Sequence, residues 1–258
     1  MANDKLVLYQ LGRVKEEIKM HTMFTELKSE SLKELFVKEV ESKIISGQIK
    51  PGDRLPPERE LANLMGVSRS IVNSGILELA SKGFVRIIPR KGTVVEDYKN
   101  EGTPSILVSI MNYNEGKLSP RLFNSMMDTR LLIEVESARC AAINRGKEDL
   151  QFMESLISGA EKSKDLEEHV KYNYNFHHRV IIASGNVVYA MIFKSFEPVC
   201  LNLIRTYFEA GGHMDKSVFS HKKLFGAIKR REKENAGEIM KEILQVGRRK
   251  LVHLAVTD

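Results

Sequence analysis

Apolar residues recur at every third or fourth position along most of this chain, with charged residues between them, and this spacing predicts amphipathic helices. The first pattern covers residues 31–45. A second follows the Pro56-Pro57 pair and stops at Gly66, and a third begins after Ser68, a favourable N-cap residue, and ends at Gly83. The last two patterns, joined by a tight glycine turn, predict a helix-turn-helix.

The spacing of the apolar residues changes after this third helix. Two short apolar runs, FVRII and TVV, are joined by the basic turn PRKG, and the sequence therefore predicts a β-hairpin. A polar stretch, EDYKNEGTPS, follows the hairpin and is interpreted as an interdomain linker.

The rest of the chain has helical spacing and few strand signals, which predicts an all-helical bundle. Candidate helices cover residues 104–113, 119–144, 146–163, 165–184, 187–211, 215–232 and 234–255. The predicted fold class is mainly α, with a small β-hairpin in the N-terminal domain. The predicted division is an extension at 1–22, a winged helix-turn-helix domain at 23–97, a linker at 98–104 and a helical domain at 105–258.

Composition is typical of a globular protein with a real core, at 42% hydrophobic and 29% charged residues, and a length of 258 residues favours two domains. The net charge of +6 favours anionic partners such as nucleic acid. Cys140 and Cys200 lie too far apart in sequence for a CxxC motif. No apolar run approaches the roughly 18 residues of a membrane span. We therefore expect a cytoplasmic protein with no membrane partner.

The start of the third helix carries residues that suit contact with DNA. Ser68, Arg69 and Ser70 stand at its N-terminus, where hydroxyls and backbone amides can hold phosphates and arginine can reach base edges in the major groove. Between positions 59 and 93, six basic residues are opposed by two acidic ones, a local excess of four. The alternative is that these are ordinary solvated charges. The basic residues are Arg59, Arg69, Lys82, Arg86, Arg90 and Lys91.

The span from Ile44 to Val95 resembles the winged helix-turn-helix of the GntR family of bacterial transcriptional regulators, through "PGDRLPPERELA", "GVSR" and "GTVV". The resemblance implies that Arg59 and Arg69 contact bases or nearby phosphates and that Ser68 and Ser70 bind the DNA backbone. It also implies that the wing, around Lys91 and Gly92, approaches the minor groove.

Three departures from the family pattern bear on DNA binding. Asn73 stands where members usually carry arginine, Gly75-Ile76 replaces an alanine-leucine pair, and Arg90 stands where the wing often has glycine. The loss of a cation at Asn73 is expected to weaken binding or shift its sequence preference, because each neutralised phosphate adds a counterion-release term. Arg90 is expected to replace that charge in part.

In the second half, Asn173 and His177 are four residues apart and share a helix face, so both can converge on one ligand or metal ion. His221 opens another helix pattern and could join them inside a bundle. The alternative is that these are packed histidines without a ligand.

This second half resembles the FCD domain of FadR-type GntR regulators, through "RLLIEVESARCAA", "NYNFHHRVIIASGN" and "HKKLFGAIKRREKENAGEIM". In that family an acidic or amide residue and three histidines hold a divalent metal, to which a small carboxylate effector binds. Asn173, His177 and His221 match three of these positions, and the fourth falls on Ile243. A metal of the zinc or nickel class is therefore expected to be held weakly or not at all. Arg130 matches the effector-facing arginine, whose planar fork suits a carboxylate; the alternative is a surface or helix-pairing arginine.

Two kinds of effector remain open at this point. The domain either binds a small organic acid through Arg130 and the histidines, or forms a metal-free pocket for a larger apolar ligand such as an acyl-CoA. The expected protein is a homodimeric, DNA-binding regulator, most often a repressor in this family, on a palindromic operator of double-stranded DNA, with affinity controlled by a small-molecule effector.

Two readings from other classes compete with this regulator. A helical metallohydrolase using His177 and His221 would need a complete metal shell and a general base, and the sequence offers neither. A winged helix serving only protein interaction is disfavoured by its basic residues. Residues 1–22 precede the start of the resemblance, and are interpreted either as a domain extension or as the result of a start site assigned ahead of Met23.

Overall fold

The computed structural model describes residues 30–256, so the predicted extension at 1–22 lies outside the described residues. The mainly α fold class is confirmed. Over this range the helices and strands are α1 (Leu32–Ile45), α2 (Glu58–Met65), α3 (Arg69–Lys82), β1 (Val85–Ile88), β2 (Gly92–Val95), α4 (Tyr98–Glu101), α5 (Ile106–Tyr113), α6 (Pro120–Asn144), α7 (Lys147–Lys162), α8 (Leu166–Ala183), α9 (Val187–Ser195), α10 (Glu197–Glu209), α11 (Met214–Lys229) and α12 (Lys233–Leu251).

Local signals determine the ends of the helix-turn-helix. Gly66 ends α2 in the left-handed region at φ 64°, and Gly83 does the same for α3 at φ 90°, where glycine has no steric penalty. The hydroxyl of Ser68 accepts the N–H of Ile71 at 3.3 Å and so caps α3. The predicted turn and N-cap are therefore confirmed.

The predicted hairpin forms an antiparallel pair in which Val85 faces Val95 and Ile88 faces Gly92. Its turn is closed by the N–H of Lys91, which donates to the carbonyl of Ile88 at 3.0 Å. Arg90 sits at the tip with φ 64°, a conformation that L residues adopt at a steric cost. The wing therefore holds a strained arginine at its most projecting point.

The core of the N-terminal domain explains why glycine stands at position 75. A Cβ atom on Gly75 would lie 2.3 Å from Cδ1 of Phe36, whose ring is 1% exposed and packs α1 against α3. The ring of Phe36 thus occupies the space that an alanine methyl group would need.

The segment after the wing packs onto both halves of the protein. The ring of Tyr98 lies 5.4 Å from that of Phe84, and the predicted linker contains the short helix α4. In α5, Ile106 and Ile110 belong to the N-terminal core, whereas Met111 belongs to a core of the helical bundle. Helix α5 therefore connects the two cores by direct packing.

The helical bundle is built around α6, a helix of 25 residues that packs against α8 and α12. One core of the bundle includes Phe123, Met127 and Tyr174. A second core, farther along α6, includes Ala138 and Met240. Because one face of α6 is buried along most of the helix, a charged group at an inward position needs a partner of opposite charge.

The prediction of one helix over 187–211 is wrong. The chain forms two helices, α9 and α10, separated at Phe196 and bent by 65°. Pro198 lies in the first turn of α10, where its missing N–H leaves no hydrogen bond to continue the preceding helix. Across residues 30–256 no single helix is long and apolar enough to cross a membrane, although the bent pair α9–α10 together reaches that length and composition.

We expect Gly75→Ala to lower the free energy of unfolding by about 1–3 kcal/mol, because the added methyl group must displace the ring of Phe36. This loss should exceed the gain of about 1 kcal/mol in helix propensity. Urea unfolding followed by circular dichroism measures the change. Gly247→Ala in α12 is the matched control, since a Cβ there meets nothing within 4 Å, and it should be neutral or stabilising. Equal effects of the two changes would contradict this account of the packing.

Candidate functional site

The predicted DNA-binding residues all lie on the surface of the winged helix-turn-helix, on α2, on the first part of α3 and on the wing. The exposed residues are Arg59, Ser68, Arg69, Ser70, Asn73, Arg90, Lys91 and Gly92. Because the second helix of such a motif enters the major groove by its N-terminal residues, this placement suits a duplex lying across α3 and the wing.

Ion pairs divide the six basic residues between positions 59 and 93 into two groups. Lys82 is held by Glu41 at 2.8 Å and Glu78 at 3.0 Å, and the Nε of Arg86 donates to Glu96. The second group has no ion-pair partner among residues 30–256 and comprises Arg59, Arg69, Arg90 and Lys91. Four exposed cations therefore remain on the surface that would face DNA.

Two of the predicted contact residues also make bonds within the protein. The hydroxyl oxygen of Ser68 accepts the N–H of Ile71, which leaves its own O–H group to donate to a phosphate. The side-chain amide of Asn73 donates through Nδ2 to Oε1 of Glu58 at 3.2 Å and so joins α3 to the start of α2. The side chain of Asn73 is thus exposed to solvent, and its orientation is fixed by the bond to Glu58.

A cavity of about 330 Å³ lies in the helical domain between α6, α8, α10, α11 and α12. Three of the predicted effector residues, Arg130, Asn173 and His177, line it, and so does Ile243. His221 stands directly behind His177, with its Nε2 atom 3.2 Å from that of His177. The structure therefore brings the predicted residues together from three helices. The remaining lining is mostly apolar, including Leu203, Ile204, Phe208, Ile239 and Leu244.

Glu134 is a central residue of this site that the sequence analysis did not identify. It is 0% exposed, and its Oε1 accepts the Nε of Arg130 at 2.6 Å while its Oε2 bonds to Nδ1 of His177. Burial opposes the charged form, but Arg130 and His177 outweigh it and lower the pKa of Glu134. The signal available in the sequence was its spacing, since Glu134 lies four residues after Arg130 on one helix face.

His177 and His221 form a buried pair, each 2% exposed, with rings edge to face at 77°. The ring of His221 also stacks on Phe176 at 4.3 Å. Burial, followed by the neighbouring imidazole of His177, lowers the pKa of His221 well below 6.5. Neutral His221 is therefore the form that the fold favours.

The donor set at this pair does not complete a metal shell. Two imidazole nitrogens 3.2 Å apart fit two positions on one ion. Asn173, whose Nδ2 donates to Ser217 at 2.9 Å, could add only a neutral amide oxygen, and Ile243 offers no donor. Within the described residues no group of three His, Cys, Asp or Glu side chains lies close enough to hold a metal ion. Two imidazoles and a neutral amide do not fit a tightly held transition metal.

Comparison with known families identifies both halves of the chain. The profile of bacterial regulatory proteins of the gntR family matches residues 32–95, and that of the FCD domain matches residues 125–246. The chain belongs to the gntR family of bacterial regulatory proteins and carries a C-terminal FCD domain. It is a transcriptional regulator, and not an enzyme.

The chain is similar in sequence to several named regulators. The HTH-type transcriptional regulator Mce2R of Mycobacterium tuberculosis is 23% identical over 232 residues, which cover 88% of this chain and 95% of that one. The Glc operon transcriptional activator of Escherichia coli is 27% identical, covering 66% and 68%. The fatty acid metabolism regulator protein of Shewanella frigidimarina is 30% identical, covering 62% and 65%.

A solved structure supports the fold. That structure, of the protein Lar, which controls the expression of the Listeria monocytogenes agr system, has a TM-score of 0.63 at 18% identity and covers 88% of this chain and 100% of its own.

Replacing the strained arginine at the wing tip should separate stability from DNA binding. We expect Arg90→Gly to keep or raise the free energy of unfolding by up to about 1 kcal/mol, because glycine adopts positive φ freely. The same change should weaken binding to duplex DNA. It should also reduce the slope of log affinity against log salt concentration by the amount expected for about one lost phosphate contact. Fluorescence anisotropy at several salt concentrations measures both affinity and slope. Arg86→Gln, whose charge is already paired, is the control, and an unchanged slope in Arg90→Gly would contradict the contact.

Buried His221 should make folding sensitive to mild acid, because its pKa is lowered by burial. The unfolded chain protonates His221 near pH 6.5 whereas the fold resists it, so the unfolding free energy should fall by up to about 1.4 kcal/mol per pH unit below 6.5. Glu134, whose lowered pKa favours the fold above about 4.5, stays charged from pH 7.5 to 5.5. Urea unfolding over that range should show a shallower pH dependence in His221→Gln than in the unchanged protein. Equal pH slopes would show that His221 does not cause the effect.

Proposed function

We propose that the protein is a homodimeric repressor that binds a palindromic operator in the cytoplasm and releases it when a small organic acid enters the cavity of the helical domain. The observation that carries the effector class is the charge of the cavity lining. Arg130, Lys216, Lys223 and Arg249 line it against the single carboxylate of Glu242. This excess of cations on mostly apolar walls favours an anion with an apolar body.

Arg130 is the residue best placed to meet the acid. Its Nε is bound to Glu134, and within residues 30–256 it makes no second hydrogen bond to protein. A guanidinium has five N–H groups in a fixed fork, so its terminal nitrogens remain able to donate to a carboxylate in the cavity. Glu134 holds the fork in place, and the ligand would complete its hydrogen bonding.

No permanently bound metal is needed for this binding mode. His177, whose Nδ1 faces Glu134, directs Nε2 toward His221, and Asn173 contributes its amide to the lining. We propose that these groups contact the acid directly or through water, and that a zinc- or nickel-class ion is at most weakly held, because position 243 supplies methyl groups instead of an imidazole.

The route from cavity to DNA runs along α6. Met127 and Arg130 line the cavity, and Leu122, at the start of the same helix, packs against both the bundle core and the N-terminal core. An acid that prefers one position of α6 would therefore favour one arrangement of the winged helices. Operator affinity would change by at most the ratio of the acid's affinities for the two arrangements.

A second candidate effector is a larger apolar ligand with an anionic head, of the acyl-CoA kind. A groove beside the cavity shares Lys223, Ile239 and Glu242 with it and adds Lys222 and Arg230. The cavity could hold the apolar chain while the groove lysines and arginine meet phosphates. Lys222 and Arg230 are already paired with Glu161 and Glu232. The observation that favours this alternative is therefore Lys223, which lines both the cavity and the groove and has no ion-pair partner among residues 30–256.

Operator release by a panel of organic acids of increasing chain length tests the proposal. The double change Arg130→Gln and Glu134→Gln removes both charges of the pair and avoids leaving one buried alone. We expect it to bind DNA normally while responding to the acid at least roughly tenfold more weakly, through loss of a charge-assisted hydrogen bond. Anisotropy of a labelled operator measures both quantities.

Lys222→Gln with Arg230→Gln is the matched control, because these residues lie in the groove and do not line the cavity. It should leave the response to small acids unchanged. If no acid releases DNA from the unchanged protein and an acyl-CoA does so through these groove residues, the larger ligand is the effector. Chelator should not abolish the acid response, and loss of the response in chelator would contradict metal-independent binding.

A further inference from the structure

We propose that Asn73 selects adenine at one base position in each operator half-site, and that Glu58 holds the Asn73 amide in the orientation that this selection requires. The inference rests on the proposed binding of operator DNA by α3. It concerns which base of the operator α3 contacts.

The position of Asn73 suits contact with a base edge. It is the fifth residue of α3, it is exposed, and it lies one helical turn after Arg69 on the same side. The N-terminal residues of a recognition helix are those that reach base edges in the major groove. Farther along the same face, Leu77 is 54% exposed and has no polar group to compete for the same base.

The hydrogen bond to Glu58 fixes the positions of the nitrogen and oxygen atoms of the Asn73 amide. A carboxylate only accepts hydrogen bonds, so the amide nitrogen of Asn73 must be the atom 3.2 Å from Oε1 of Glu58. The first turn of α2, where Glu58 stands, stabilises its negative charge. Among residues 30–256 the amide makes no other hydrogen bond. One N–H of Nδ2 and the oxygen Oδ1 are left for a partner outside the protein.

This remaining pair of groups matches one base. Adenine presents the acceptor N7 beside the donor N6 in the major groove, and an asparagine amide can bind both at once. Guanine presents two acceptors, N7 and O6, and O6 would face the amide oxygen without a hydrogen. Cytosine and thymine each offer one hydrogen-bonding group in the major groove. The oriented amide therefore favours adenine over the other three bases.

Neutrality gives this contact a signature distinct from those of the neighbouring cations. Arg59, Arg69, Arg90 and Lys91 release counterions when they approach phosphates, so their loss changes the salt dependence of binding. An amide on a base edge releases none. Removing Asn73 should thus change the sequence preference at one position and leave the salt slope unaltered.

The test is selection of binding sites from random duplex DNA by the full-length protein and by three variants. We expect the unchanged protein to enrich symmetric half-sites with adenine at one position. Asn73→Ala should lose roughly 5- to 150-fold of discrimination at that position alone. Asn73→Arg should exchange adenine for guanine there, because arginine pairs with the two acceptors of guanine. Glu58→Gln should weaken the preference, since a glutamine amide both donates and accepts.

The outcomes separate this inference from the proposed function. Thermal unfolding by circular dichroism identifies any variant that fails to fold, and Asn73→Ala changes an exposed side chain. Identical preferences in the unchanged protein, Asn73→Ala and Asn73→Arg would overturn the role of Asn73 while leaving operator binding intact. Failure of the unchanged protein to enrich any sequence would overturn operator binding itself, and the inference with it.

Discussion

The arrangement of the helical domain depends on one fully buried carboxylate. Glu134 carries a charge inside α6, where an isolated ion would be strongly disfavoured. Arg130 and His177 stabilise it by direct hydrogen bonds, and His177 in turn contacts His221. Pairing this charge therefore joins α6 to α8, and the contact of His177 with His221 extends the chain of bonds to α11. Breaking such a pair costs about 3–5 kcal/mol, since the remaining charge stays buried.

The same carboxylate sets the chemistry of the cavity. With Nδ1 of His177 engaged by Glu134, Nε2 is the only ring nitrogen that can face a ligand or His221. Arg130 reaches the cavity with part of its hydrogen-bonding capacity already used. Ile243 lines the cavity without offering a donor, and the site therefore combines Arg130, three further cations and polar nitrogens with apolar walls. That combination suits a weakly hydrated anion better than a bare metal ion.

Features with local causes were predictable from the sequence, and features caused by packing were not. Gly66, Ser68 and Gly83 are conformational signals that act within a few residues, so the end of α2 and both ends of α3 could be predicted. Pro198 carried a local signal for the break after α9, but the apolar pattern continues across it. Glu134 is four residues from Arg130, a spacing typical of exposed ion pairs, and only tertiary packing shows that the pair is buried and joined to His177.

The connection between the two domains follows from a helix that belongs to both. Leu122 touches the N-terminal core and the bundle core, and Arg130 lies eight positions later, about 12 Å along the axis at 1.5 Å per residue. A rigid helix of this length cannot move at the cavity without moving at the joint. Tenfold release of DNA requires a ligand to prefer one arrangement by only about 1.4 kcal/mol. One charge-assisted hydrogen bond from Arg130 to a ligand, made in one arrangement alone, would be of that size.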